Sequence, residues 1–570
     1  MTTLATDLYL LVAAYGLAVA VSYAGLPVLG QGAFVAVGAV ATTQIAAHGA
    51  PLGVAVAAAV ALAAVGGYAV GFAASRLSGA PLALATWALA WLVYTAALVF
   101  PRLSGGTQGL TRPTPAHLVS PSLGVVVTLR PAVHVVIAAV IAALAAVALR
   151  RAAGGGIGLD LAALRSGPVL ADSLGVPVQR RRRAVLATAA ALGGVGGAGT
   201  VVLLGVVAPA DYSPLLSLQL FVAVLVGGTA RWWGPILGVA LLAALPSTAD
   251  AIATVLHVDA VRARSVLTAV LLVLALLIRG PVARLFAWLP HHGSVFAADA
   301  TPPIATPPAT DAPLLELRGV AAAYGGVRVL DGFDLQLRAG EVHALIGPNG
   351  SGKSTALRIA AGVVTPTAGE VRLRGAPAPR AGAAAPRVHA GVVRTLQRTV
   401  ALGELDAATQ TAVGARARER LPFVGVRELL GTPLGRITGR RRGAAVAAAL
   451  DAVGLVERAG VVTARLDSAQ QRLLQVARAV ATGAPALLLD EPAAGMSAPQ
   501  RRQLVSVLRG LAGRGHGVLL VEHDMTLVAR VADRVTVVAE GRVIATGPPE
   551  VIRRDPAVAR AYLGVDPAAV

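Results

Sequence analysis

Three short stretches in the second half of the chain hold residue types that do phosphate chemistry. The first, GPNGSGKST from Gly347 to Thr355, fits G-x-x-x-x-G-K-[ST] and lies between the strand-like run VHALI and the helix-compatible run STALRIAAGVV, as that pattern requires. Gly347, Pro348, Asn349, Gly350, Ser351 and Gly352 let the backbone wrap a triphosphate, with N–H groups and a helix N-terminus directed at its oxygens. Lys353 supplies a compact ammonium able to reach between the β- and γ-phosphates. The Ser354 hydroxyl can hold Mg²⁺, and Thr355 follows it into the helix. Lys353 is the only lysine: Lys and Arg together number 49, and 49 − 1 leaves 48 arginines. A guanidinium is larger and planar, so the one position kept as lysine is one where arginine's shape is unwelcome. The bland alternative is a Gly-rich turn that binds nothing.

The second stretch, ALLLDE, ends an apolar strand with Asp490, placed to hold Mg²⁺ directly or through water, and then Glu491, placed to orient or deprotonate an attacking water. The third, GVLLVEHD, ends with His523, whose neutral imidazole can contact a γ-phosphate. Taken alone, His523 is equally an ordinary surface histidine, and Gln397 in RTLQRT a surface polar residue. Tyr324 in AAYGG either stacks on a base or packs under a turn.

The rest of the chain must position these groups. It has 570 residues, 56% of them hydrophobic and only 14% charged, with a mean hydropathy of +0.71, too apolar for a soluble protein. Part of it therefore sits in lipid. The formal charge of +20 would suggest nucleic acid in a soluble protein, but aromatics are 4% and the arginines gather beside apolar runs. A membrane surface fits better, and no nucleic-acid partner is expected. Without cysteine, disulfides and thiolate metal sites are excluded. His291 and His292 have no further ligands near them in sequence.

Residues 1–288 read as a transmembrane domain of about nine helices, with candidate spans at 6–25, 29–48, 52–75, 81–100, 131–149, 184–208, 213–228, 234–250 and 264–279. The opening MTTLATDLYLLVAAYGLAVAVSYAG lacks a basic leader and reads as a first span. Arginines at 150, 151, 165, 180–183, 231, 279 and 284 mark the cytoplasmic side. Within the cytoplasmic loop 150–183, LDLAALR reads as a short amphipathic helix and DSLGVPV as its stop. Residues 289–313, rich in Ala, Pro and Thr, read as a flexible linker. From 314 to 570, alternating strand and helix patterns argue for an α/β domain with a mainly parallel core. The fold class is a polytopic α-helical membrane domain followed by an α/β P-loop domain.

The order of Tyr324, the phosphate loop, Gln397, a helical insert to about Arg465, LDSAQQRLLQVARAVATGAPALLLDEP and His523 resembles the ATPase subunit of ABC transporters over 314–565. RTLQR, DEPAAGM and the tail DRVTVVAEGRVIATGPPEVIRRDPAVARAYLG resemble the ATPases of branched-chain amino acid importers. GLPVLGQGAFVAVGAVATT, SGGTQGL and LQLFVAVLVGGTARWWGPILGVALLAALP resemble the permease subunits of those importers.

This resemblance implies a fused permease and ATPase in a bacterial inner membrane, with the ATPase cytoplasmic and ATP and Mg²⁺ as its ligands. Tyr324 would stack on adenine, Gln397 would join the metal and the water, and His523 would reach the γ-phosphate. Two ATPases would meet head to tail, each lending the other a signature loop. Here that loop is Leu466, Asp467, Ser468, Ala469 and Gln470 against Leu-Ser-Gly-Gly-Gln, so a carboxylate and a methyl stand where a hydroxyl and a bare backbone are expected. Ser497 also stands where Asp or Asn is common. Residues 157–178 would form a coupling helix docked near Gln397; the other possibility is a helix lying on the membrane surface. Gln31, Thr107 and Gln108 are candidates for contacts along a solute path, although the neighbouring glycines equally suit close helix packing. The implied partners are a second permease, a second ABC ATPase and an extracytoplasmic substrate-binding protein. An exporter, or a membrane-tethered ATPase without transport, are the competing classes.

Overall fold

The computed structural model describes residues 1–111, 130–228, 231–257, 312–397, 405–419 and 424–563, with isolated positions between 259 and 274. The candidate span 264–279, most of the stretch 289–313, Arg279, Arg284 and the histidines at 291 and 292 fall largely or wholly outside the described residues. The chain divides into two compact units, Met1–Arg165 with Val178–Gly293, and Ser166–Pro177 with Ser294–Val570. A piece of the cytoplasmic loop thus belongs to the second unit.

In the first unit, six described helices are long and apolar enough to cross a membrane: Thr2–Tyr23, Leu52–Ala73, Ala80–Val99, Pro131–Gly154, Val178–Leu204 and Gly234–Ala251. Gln31–Ala47 and Pro214–Val226 are shorter, with 17 and 13 residues. At about 1.5 Å per residue they fall short of roughly 30 Å of hydrocarbon, so their free backbone donors need partners inside the protein. At the start of Gln31–Ala47 one such donor, the Gly32 N–H, meets Ser217 Oγ (2.8 Å), and just ahead of the helix the Leu29 N–H donates to Thr86 Oγ1 (3.0 Å).

Helix Val178–Leu204 is the axle of this unit, packing against Thr2–Ala18, Gln31–Ala47 and Leu52–Ala73. It can do so because its facing residues are small. A Cβ on Gly197 would lie 1.8 Å from the Val35 carbonyl oxygen, and one on Gly38 only 2.3 Å from that of Gly194. At one end of the bundle Arg165 Nη1 donates to Ser22 O and Arg182 Nη1 to Ser75 O and Leu77 O, while Arg183 stacks over Phe72. This arginine-rich end is cytoplasmic by the positive-inside rule. The opposite end joins Gln44 Nε2 to the Arg102 and Leu103 carbonyls and pairs Leu110 with Val207 in a two-stranded ladder. The first helix accordingly begins on the extracytoplasmic side.

The second unit contains a six-stranded sheet in the order Arg542–Gly547, Arg534–Ala539, Val342–Ile346, Gly517–Val521, Ala486–Asp490, Val392–Arg394. All neighbours are parallel except the first pair. The central strands are buried along their whole length, which explains their unbroken apolar runs. A second, four-stranded antiparallel sheet contains the hairpin Leu315–Tyr324 and Val327–Leu337. Its turn residues Gly325 and Gly326 have φ of +53° and +87°, the geometry a two-residue hairpin demands. Phe333, Leu330, Leu345, Leu357, Leu488 and Leu519 fill one core between the sheets and helix Lys353–Ala360. Each such side chain contributes about 1.5–3 kcal/mol by leaving water.

Candidate nucleotide-binding and hydrolysis site

Four adjacent parallel strands end at the same edge, and each hands over to one piece of the site. Ile346 leads into the loop 347–352, Asp490 into Glu491, Val521 into Glu522 and His523, and Arg394 toward Gln397. Loops at the carboxyl ends of parallel strands are where open α/β sheets bind ligands.

The loop's conformation requires its glycines. Gly347 has φ +150° and a Cβ there would lie 2.1 Å from the Val538 carbonyl oxygen; Gly352 has φ +104° and a Cβ there would meet Leu330 Cδ2 at 2.6 Å. Gly352 caps helix Lys353–Ala360, whose eight residues point their N-terminus into the loop. Asn349, Gly350 and Ser354 are exposed, Pro348 and Thr355 half-buried, and Ser351 buried. Lys353 is 6% exposed, and its ammonium donates to Gly347 O (2.8 Å), Pro348 O (2.7 Å) and Ser351 Oγ (3.4 Å). Burial lowers its pKa, partly offset by the Glu491 and Asp490 carboxylates. A cation already largely desolvated, backed by loop carbonyls and edged by acids, suits a polyphosphate, whose negative charge would favour the ammonium further.

Asp490 is buried. One oxygen, Oδ2, accepts from Arg394 Nη2 at 2.8 Å, and the other, Oδ1, is buried with no hydrogen-bond partner. An orphaned carboxylate oxygen of this kind fits a hard cation, and Ser354 Oγ offers the second oxygen ligand. These residues therefore fit Mg²⁺: Asp490 and Ser354 would hold it, and when bound it would supply positive charge against the developing charge of phosphoryl transfer.

Glu491 follows with φ +50°, left-handed for a residue that is not glycine. Its backbone is gripped on several sides: its N–H donates to Val521 O (3.0 Å), and its carbonyl accepts from Arg472 Nη1 (3.0 Å) and Ala494 N–H (3.3 Å). The carboxylate accepts from His523 Nε2 at 2.7 Å and from the Gln397 side chain. Burial alone would raise the Glu491 pKa, but the hydrogen bonds of His523 and Gln397, with the charges of His523 and Lys353, outweigh it and hold the group below its ordinary value. Glu491 is thus a carboxylate at neutral pH, able to orient water and take its proton. The structure brings together Lys353, Gln397, Asp490, Glu491 and His523. Tyr324 ends its strand 43% exposed.

The signature residues open helix Ser468–Ala481. Asp467 caps it, with Oδ1 accepting from Gln470 N–H (2.8 Å) and Gln470 Oε1 accepting from Asp467 N–H (3.1 Å), a closed capping box. Leu466 and Ala469 are buried, whereas Asp467 and Ser468 are exposed. Ser497 forms a second capping box with Gln500.

The three path candidates are not assembled. Gln31 is fully buried between helices, its Nε2 donating to Ala13 O (3.0 Å) and Ala189 O (2.9 Å), while Thr107 and Gln108 lie exposed in the turn Gly106–Gln108 at the extracytoplasmic end. Sequence reasoning missed Arg394 on Asp490, and Asp172, which contacts the ATPase unit. The only local hint for Arg394 was its place two residues before Leu396-Gln397 at the end of an apolar strand.

A P-loop ATPase with its hydrolytic residues at one sheet edge, joined to a polytopic helical unit, is an ABC-type transport ATPase fused to a permease. The branched-chain amino acid transport system / permease component family matches residues 1–276, the ABC transporter family residues 330–494, and the branched-chain amino acid ATP-binding cassette transporter family residues 542–568. The chain is 35% identical over 259 residues to the high-affinity branched-chain amino acid transport ATP-binding protein LivG of Salmonella typhimurium, which covers 44% of this chain and 98% of the relative. LivG of Escherichia coli K12 gives the same values, and BraF of Pseudomonas aeruginosa is 35% identical over 258 residues, again 44% and 98%. The chain belongs to the branched-chain amino acid ABC transporter family. It is a multi-pass membrane protein with a cytoplasmic ATPase that hydrolyses ATP to drive transport.

Proposed function

We propose that the chain imports branched-chain amino acids or related small polar solutes across a bacterial inner membrane, using ATP with Mg²⁺. It works with a second permease, a second ABC ATPase and an extracytoplasmic substrate-binding protein. The observation that carries this reading is the meeting of Lys353, Asp490, Glu491, Gln397 and His523 at one sheet edge, in a chain whose other half holds two part-length helices, the start of one bonded to a hydroxyl of the other. Such interrupted helices recur where transporters pass solutes.

Glu491 takes a proton from the water that attacks the γ-phosphate, and His523 and Gln397 hold its carboxylate for that step. The Lys353 ammonium offsets charge on the terminal oxygens, and Tyr324 offers its exposed ring to adenine. In the reconstituted assembly, ATPase activity should rise with a binding protein plus leucine and be abolished by Glu491→Gln. Stimulation that needs no ligand-binding partner would favour export, and hydrolysis without solute movement would favour a tethered ATPase.

The loop lent to the opposite site is altered. A capped Asp467 carboxylate faces outward where a hydroxyl would meet phosphate, and Ala469 adds a methyl. We infer two unequal sites, the one built on Lys353 and Glu491 being the hydrolytic one when its partner lends an intact signature.

A further inference from the structure

Segment Ser166–Pro177 grips helix Ala385–Ala390 at both ends. That helix has no cap of its own; the Asp172 carboxylate accepts from the N–H groups of Ala384 (2.5 Å) and Ala385 (3.2 Å) at its start. At its other end His389 Nε2 donates to the Gly175 carbonyl at 2.9 Å. Gly175 has φ +88°, and a Cβ there would stand 3.1 Å from both Val388 Cγ1 and Ala417 Cβ, so the turn lies directly on the helix. One residue, Gly391, separates this helix from strand Val392–Arg394, and it too is packed: a Cβ would meet Pro485 Cδ at 3.1 Å. The strand runs parallel to Ala486–Asp490 with Arg394 beside Leu488.

Arg394 thus ends a short helix and strand, joined through Gly391, whose helix is held at both ends by the loop segment. Its Nη2 bonds Oδ2 of Asp490, whose side chain is completely buried. Thr395 Oγ1 accepts from the Asp490 N–H (3.3 Å), but among the described residues only Arg394 bonds the carboxylate, so it decides that Oδ1 is the oxygen left over. Ligand-orienting groups of this kind govern metal affinity without touching the metal.

We propose that Arg394 is a positioning residue that ties the Asp490 carboxylate to the docked segment Ser166–Pro177, so that displacement of the segment is felt at the metal-holding oxygen. The inference rests on the reading of Asp490 as a magnesium residue. Its test is the affinity of the full transporter complex for a fluorescent ATP analogue, measured with Mg²⁺ and in EDTA. Arg394→Ala should cut the magnesium-dependent gain in affinity about tenfold, leave the EDTA affinity within about twofold, and be partly rescued in Arg394→Lys. Asp172→Asn should reduce the same gain in the native background and add nothing in Arg394→Ala. Equal losses with Mg²⁺ and in EDTA, an intact gain, or an Asp172→Asn effect of the same size in both backgrounds would overturn the proposal. If Arg394→Ala does not assemble, Arg394→Lys and Asp172→Asn, alone and combined, read the same coupling. A native complex whose affinity ignores magnesium removes the metal reading itself, an outcome distinct from loss of the Arg394 link.

Discussion

Glu491 shows how several ordinary contacts make one unusual residue. Its left-handed backbone costs about 1 kcal/mol or more, and is kept because Val521, Arg472 and Ala494 fix it from separate elements. Its lowered pKa means that the unfolded chain binds more protons, so its stabilisation is present above the ordinary carboxylate range and lost on acidification. His516 has the same sign for another reason. It is 1% exposed, both ring nitrogens are buried without a hydrogen-bond partner among the described residues, and burial lowers its pKa below the usual 6.5, ahead of the opposing pull of the backbone near Ala484 and Pro485. Below pH 6.5 the unfolded histidine protonates while the folded one does not, so stability falls. Buried Glu522, raised mainly by desolvation, has the opposite sign and loses its contribution as pH rises. The expected outcome is a stability that falls as the pH drops below 6.5, by up to about 1.4 kcal/mol per pH unit from His516, seen as a declining thermal midpoint. His516→Gln should flatten that part of the curve, as followed by melting of the full chain in detergent.

At the scale of elements, the axle helix Val178–Leu204 depends on what it lacks. Gly197→Ala puts a methyl 1.8 Å from the Val35 carbonyl oxygen, a backbone atom that cannot swing away, whereas the nearest atom to a Cβ on Gly66 is Phe34 Cε1 at 3.9 Å. The first substitution should cost about 1–3 kcal/mol or more and the second almost nothing, read as the shift in melting midpoint of the two variants. Most helices of this unit were legible as apolar runs, and the strand ends at Ile346, Asp490 and Val521 as apolar strands meeting chemical motifs, because both signals are local. The oxygen that Arg394 takes on Asp490, the hydroxyl caps of Thr86 and Ser217, and the adoption of Asp172 by a helix more than 200 residues away (212 to Ala384) are products of tertiary placement. No local pattern encodes them. Gln31 shows the same limit: a polar residue at a glycine-broken helix start reads as a solute contact, while in the fold its Nε2 bridges the Ala13 and Ala189 carbonyls and its Oε1 is buried without a partner among the described residues.

For the whole molecule, the fusion puts one permease unit and one ATPase unit on each chain, and on the proposed pairing of two ATPases the second signature would come from another chain. The capping box at Asp467 caps its own helix, so on the two-site proposal the altered signature would act on the opposite site through its chemistry and not through misfolding. Asp467→Ser with Ala469→Gly should raise steady-state ATP turnover of the assembled transporter, with little change in melting because Ser also caps helices well. Unchanged turnover in an assembly with no second, different ATPase would sink the two-site reading.

The single lysine has a further consequence. In 570 residues the phosphate loop holds the one side-chain amine, and three oxygen acceptors already surround it. Apart from the chain's own amino terminus, every amine-directed modification of this protein, enzymatic acetylation included, is a modification of its nucleotide site.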